Sequence, residues 1–149
     1  TSFDVLYSLD TADETAAVRE MWRVLAPGGA ALVNVAALDI LHGAHSVLSG
    51  ERRRYTPRRL RTLLADQGFS IERLTFTNLP TLPVTLAKRL FDRLTGQAAR
   101  ASTTDLQVPP APVNALFDAA LGIENALLAR FDMPVGTSLL CLARKPTGR

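Results

Sequence analysis

Two uninterrupted apolar runs with one well-punctuated helix between them limit what this chain can build. The runs are residues 3–9 (FDVLYSL) and 30–38 (AALVNVAAL). Runs of this kind fit strands covered on both faces, as in a parallel sheet. Between them, Thr11 and Glu14 have the form of a capping box: the Thr11 hydroxyl serves the first free amides and Glu14 reaches back. Val18, Met21, Trp22 and Leu25 follow on one helical face, and Pro27-Gly28-Gly29 ends the helix.

The same alternation continues. After an irregular segment, 39–55, Thr56 is placed to cap a helix with Pro57 at its first position. Tyr55 and Leu60 stand where a hydrophobic staple sits. Leu60, Leu63 and Leu64 form the buried stripe, and Gly68 closes the helix. Residues 69–76 (FSIERLTF) alternate with the period of a strand that has one polar face. Strand, helix, strand, helix, strand with short links is the α/β pattern. From Leu79 the pattern changes. Leu82–Leu94 is expected as an amphipathic helix carrying Lys88, Arg89 and Arg93, and 96–112, with its prolines, as a loop. A further helix would put Val113, Leu116, Phe117, Ala120, Leu121, Leu127, Leu128 and Phe131 on one face. Residues 133–136 (MPVG) read as a turn and 137–143 (TSLLCLA) as a last buried strand. No segment repeats. The expected organisation is one domain over 1–149, with 79–134 inserted in it as a helical cap.

Bulk properties narrow the function classes. A chain of 149 residues can bury a respectable core. The net charge of +3 is too mild to require a nucleic-acid partner. Its distribution is uneven, because Arg52, Arg53, Arg54, Arg58, Arg59 and Arg61 crowd into one stretch. Cys141 is the only cysteine, so no intramolecular disulfide forms and nothing asks for an oxidising compartment. No apolar run approaches the roughly 20 residues that span a bilayer. The opening residues lack the charged-then-apolar form of a signal peptide. They enter a strand almost at once, as in a chain that starts partway through a longer one. The expected location is the cytoplasm.

FDVLYSLD, a helix, then RVLAPGGAALVNV resembles the fourth strand, following helix and fifth strand of class I S-adenosylmethionine-dependent methyltransferases. The RVLAPGG turn, residues 23–29, is among the most recognisable features of that superfamily. Residues 43–74 (GAHSVLSGERRRYTPRRLRTLLADQGFSIERL) are similar to the segment that continues into the sixth strand. Asp105, Pro109-Pro110, Asn114 and the closing MPVGTSLLCLARKP resemble a methyltransferase type 11-like subgroup with helices inserted before the seventh strand. The resemblance implies a partial Rossmann-like methyltransferase sheet of strands four to seven, the last antiparallel beside the fifth. It implies S-adenosylmethionine as the cofactor of the intact parent and a small-molecule or lipid-like methyl acceptor. The strands that would carry the glycine-rich cofactor loop and the ribose-binding carboxylate are missing here, so this chain would be a carboxy-terminal half, inactive alone. Gly28-Gly29 cannot replace the loop, because it follows a helix and precedes a strand. The family's Glu-His after the fourth strand is also absent, since Asp10 passes directly to Thr11. Leu9 and Asp10, at the carboxyl end of the first strand, are the remaining cofactor-binding candidates.

Acceptor-side candidates lie in the arginine-rich stretch and just before it. His45 falls where the subgroup has a histidine, which suits substrate contact or a general base; the alternative is a loop histidine bonded to backbone carbonyls. His42 and His45 have no further ligand cluster, so no metal is expected. Arg53 and Arg54 suit forked hydrogen bonds to an anionic substrate group, and Arg53 and Tyr55 join His45 as catalytic candidates. Against this, Arg58, Arg59 and Arg61 read as a solvated helix face. All these candidates are expected at one cavity beyond the strands' carboxyl ends, with 82–91 as its roof. Glu124, in the apolar stripe, is expected either to pair with the arginine cluster or to sit at the stripe's edge. Cys141 reads as a small buried hydrophobe. The helix around Lys88 reads as a lid, or as a surface for peripheral membrane contact. The rival function is a non-catalytic module that associates through the exposed edge of the first strand. A third reading is an anion or nucleic-acid binder.

Overall fold

A computed structural model describes residues 1–41, 50–94 and 110–147. Its first helix is capped one residue before the expected position. Asp10, with extended backbone, accepts from the Asp13 amide at 2.9 Å, and α1 runs Thr11–Val24. Two cap-competent side chains stand in succession here, and the carboxylate takes the position. Glu14 is thereby released from the capping box and lies fully buried.

The first apolar run is only briefly a strand. β1 spans Ser2–Phe3 and pairs in parallel with β2, Ala30–Ala36. Asp4 then turns out of the strand at φ 56°, a left-handed conformation that Asp tolerates better than most residues. Its carboxylate accepts from Asn34 Nδ2 at 3.1 Å. Leu6–Ser8 coil into a 3₁₀ turn that drives Leu6 into the core. The expectation of a strand over 3–9 is corrected accordingly: the apolar character of the run serves core packing rather than a ladder.

The Pro57 helix follows its local chemistry. Thr56 Oγ1 accepts from the Arg59 amide at 3.2 Å, and α2 is Pro57–Asp66. Gly68 ends the segment at φ 93°, with Trp22 so close that a Cβ there would meet its Nε1 at 3.1 Å. β3, Ser70–Thr77, leads through a 3₁₀ turn at Leu79–Thr81 into α3, Leu82–Leu94. α4, Ala111–Leu128, precedes the final strand β4, Ser138–Arg144.

Among the described residues the sheet has four strands in the order β1-β2-β4-β3. β4 lies antiparallel to both neighbours, matched to β2 from Ala30↔Arg144 to Ala36↔Ser138. β1, β2 and β3 therefore point the same way, and their carboxyl ends share one edge of the sheet. Ala31, Val33 and Val35 of β2 and Leu139, Cys141 and Ala143 of β4 are buried on one face. Val18 of α1 and Leu60 and Leu64 of α2 complete that core. Each such Val or Leu contributes about 1.5–3 kcal/mol by leaving water. The opposite face, with Leu32, Leu140 and Leu142, is only half-buried beside Arg73 and Leu128. The expectation that β2 is covered equally on both faces is corrected to one buried face.

α4 departs from its expected burial. Leu116 is 70% exposed and Phe131 62%, while Glu124 is the buried residue of the helix. The apolar stripe predicted the helix correctly and its covering incorrectly. Among the described residues no helix is long and apolar enough to cross a membrane.

Candidate active site

The carboxyl end of β2 and the start of α1 are joined by residues 51–59. The Tyr55 amide donates to Ala36 O at 2.8 Å, and Arg52 N donates to Tyr7 O at 2.9 Å. This short parallel pairing, Ala37 beside Tyr55, aims the side chains of 53–55 at the strand ends.

Three side chains of the 51–59 segment, Arg53, Tyr55 and Arg59, converge on Glu14. Arg53 Nη1 donates to Glu14 Oε2 at 2.7 Å and to Thr11 Oγ1 at 3.2 Å, while its Nη2 reaches Leu9 O at 3.0 Å. Arg59 Nη2 donates to the same Oε2 at 2.8 Å and its guanidinium lies 5.4 Å over the Tyr55 ring. The Tyr55 hydroxyl donates to Glu14 Oε1. Burial pushes the Tyr55 phenol well above its usual range, and the bond to Glu14 adds to this. It therefore stays protonated at neutral pH and acts as a donor. Arg54 turns away, to Ala37 O at 3.0 Å and to Glu51 at 2.5 Å, with both side chains largely buried.

Leu9, Asp10, Arg53 and Tyr55 thus lie at one end of the sheet, gathered around α1's first turn, and Arg54 lies on the adjoining backbone. His45 and His42 fall outside the described residues, as do Asp105 and Pro109. The grouping has a physical cause that the arginine run alone did not reveal. Arg53 uses its fork on protein acceptors, so its geometry is that of a strut. Arg59 is corrected from a solvated helix residue to a partner of Glu14. Glu14 itself was missed, although the signal was present. It is four residues before Val18 and stands on the same buried face as Met21, Trp22 and Leu25.

Asp10 remains exposed, at the N-cap of α1 and no longer at the end of a strand. Its bond from the Asp13 amide holds the carboxyl below the usual range, and Arg52 and Arg53 add to this. An anionic side chain there suits a positively charged group. Leu9 O, in contrast, already accepts from Arg53. The Gly28 and Gly29 amides donate to Lys145 O and Ala26 O, inside their own turn and across to the end of β4. Asp10 is therefore an exposed carboxylate, while the Gly28 and Gly29 amides are committed within the fold. α3 packs against the turns at Leu79–Thr81 and Asp39–Leu41, on the same edge as the strand ends.

Glu124 is corrected as well. It accepts from the Leu79 amide at 3.2 Å, and among the described residues no ion pair joins it to the arginine cluster.

No family model and no curated protein sequence matches the chain. Among solved structures it is similar to the [4+2]-cyclase SpnF, at 23% identity and a TM-score of 0.50, over 99% of this chain and 48% of that one. A phosphoethanolamine N-methyltransferase 2 of Haemonchus contortus, in complex with S-adenosyl-L-methionine, is similar at 15% identity and a TM-score of 0.46, over 97% of this chain and 32% of that one. The chain spans about half the length of the cyclase. At such identity the likeness is one of fold: a mixed α/β fold, with a four-stranded sheet among the described residues and two helices, α3 and α4, between β3 and β4.

Proposed function

We propose that the intact protein transfers a methyl group from S-adenosylmethionine to a small-molecule or lipid-like acceptor, and that these 149 residues are its later strands and acceptor-side cap. One observation carries the reading. β4 is inserted antiparallel between β2 and β3, the order that the resemblance of RVLAPGG and its neighbours implies. Fold does not dictate chemistry, and the cyclase of similar fold illustrates this. The sequence motifs in their order are what favour methyl transfer.

When bound, the cofactor would supply an activated methyl carbon, so the protein's task is largely alignment and exclusion of water. Asp10 is the candidate for its positive charge. His45 and the residues carried by the strand ends are candidates for the acceptor. Arg53 and Tyr55 contribute by holding α1 against the 51–59 segment, and Arg54 by bracing the end of β2. The glycine-rich loop would come from residues beyond this chain. Calorimetric titration with S-adenosylmethionine tests the division: the intact gene product is expected to bind in the micromolar range, and the 149-residue chain not to bind usefully. Tight binding by the isolated chain would refute the division of labour, and no binding by the intact protein would refute the function.

A second reading, an interaction module without catalysis, draws on the exposed Leu90, Phe91 and Leu94 of α3. Labelled-methyl incorporation by the intact protein would exclude it.

A further inference from the structure

The cleft between the Leu79–Thr81 turn and α4 holds a buried carboxylate that no cation of the described residues reaches. Leu79, Pro80, Ile123, Leu127 and Met133 line a cavity of about 210 Å³ together with Glu124. Glu124 is 5% exposed, and its Oε1 accepts from the Leu79 amide at 3.2 Å. Among the described residues this is its one hydrogen bond, and no ion pair reaches it.

A single long amide bond compensates little of what a carboxylate loses on leaving water. The dipole of α4 does not help, because Glu124 lies toward its carboxyl end, and the start of the Leu79–Thr81 turn offers only its first amide. Arg73, which reaches the end of the same helix, is committed to Leu128 O, Phe131 O and Asp132. Among the described residues, therefore, no cation balances Glu124 in the cleft. A metal ion does not suit it: the walls are apolar, and among the described residues no further His, Cys, Asp or Glu assembles a ligand set. An organic ammonium with an attached hydrocarbon suits both parts, its charge at Glu124 and its chain along Ile123, Leu127 and Met133. The cleft also lies where β3 ends, at the edge of the sheet where open α/β folds bind ligands.

We infer that this cleft binds a small apolar amine in its ammonium form, with Glu124 as counter-ion. Identifying that amine with the methyl acceptor rests on the methyl-transfer reading; the binding itself does not. The 149-residue chain, titrated with hexylammonium, hexanol and hexanoate at neutral pH, tests it. Hexylammonium should bind about tenfold to a hundredfold more tightly than hexanol, the range expected of a charge-assisted hydrogen bond. Hexanoate should bind least, and the Met133 and Ile123 methyl resonances should shift with hexylammonium. Glu124→Gln should reduce hexylammonium to the affinity of hexanol while leaving hexanol unchanged. If that variant does not fold, the comparison of ammonium with alcohol on the natural chain decides alone. Equal affinity for the two, or shifts confined to other residues, would overturn the inference. Cation-selective binding by this chain with no methyl transfer by the intact protein would support the cleft and overturn its link to an acceptor. Methyl transfer without cation selectivity would do the reverse.

Discussion

Glu14 is the residue on which the candidate site's geometry depends, and its partners are not equivalent. Arg53 is 20% exposed at the side chain and Arg59 43%, so the two ion pairs differ in how much water screens them. Arg53 also holds Leu9 O and Thr11, tying residues 9–14 to its own segment. Arg53→Met is therefore expected to destabilise by about 3–5 kcal/mol, the range for stripping a partner from a buried charge. Arg59→Met should cost about 1 kcal/mol or less. Urea unfolding of the two variants checks the order; equal losses would mean that Arg53 is no strut. Cys141 reports on the core behind this site. Burial pushes its thiol up to about 11 from 9.0. An unfolded chain releases this proton at lower pH than the folded one, so the unfolded state binds fewer protons and stability falls as pH rises past 9. Burial raises Tyr55 from its usual 10.0 as well, so the phenol adds to the loss only at higher pH. Cys141→Ala should remove the early part of the fall, between about 9 and 10, in urea midpoints measured across that range.

At the scale of elements, long cations terminate the helices. Lys145 Nζ donates to Trp22 O and Leu25 O at 2.8 Å each and lies 4.0 Å over the Trp22 ring, closing α1 from the end of β4. Arg73 does the same for α4 from β3. Lys145→Met should lower stability by about 1–2 kcal/mol through the freed carbonyls and the lost dipole interaction. Arg73→Met should act more locally, with α4 amides exchanging hydrogen faster than those of α1 and α2. Uniform acceleration across all three helices would show that α4 is not tied by this residue. Helix starts and stops were legible because their chemistry is local: Thr56 and Pro57 open α2, Gly68 closes its segment, and the bounds of α3 agree with the expected Leu82–Leu94. What failed to show were features made by distant partners. Arg53 is 39 residues from Glu14, and no spacing rule joins them. The first run needed a ladder neighbour to remain a strand past Phe3. Periodicity in α4 announced a helix without saying which of its faces would be covered, so Leu116 and Glu124 exchanged their expected surroundings.

The whole molecule presents two kinds of unfinished surface, and they differ in what they invite. One is the outer edge of β1, where the sequence suggested self-association. That edge is two residues long and ends in the turn at Asp4, and a short, abruptly turned edge is a poor template for another strand. The other is the pair of inserted helices, where Leu94 is 87% exposed and Leu116 70%, with Phe91, Ile123 and Phe131 also outward. Exposed apolar side chains, where they lie together, mark contact surfaces. Burying one such side chain on association gains about 1.5–3 kcal/mol, whereas a two-residue ladder offers few hydrogen bonds to offset the lost freedom. The isolated chain is therefore expected to self-associate through α3 and α4. Sedimentation velocity over a wide concentration range should show a rising weight-average coefficient for the natural chain. The pair Leu94→Glu and Leu116→Glu should hold it at the monomer value, and Val5→Lys, beside the β1 edge, should leave association as it was. If Val5→Lys were the variant that produced monomers, the strand edge would be the contact after all. A natural chain that stayed monomeric throughout would mean that the apolar faces of these helices are too dispersed to hold a second copy.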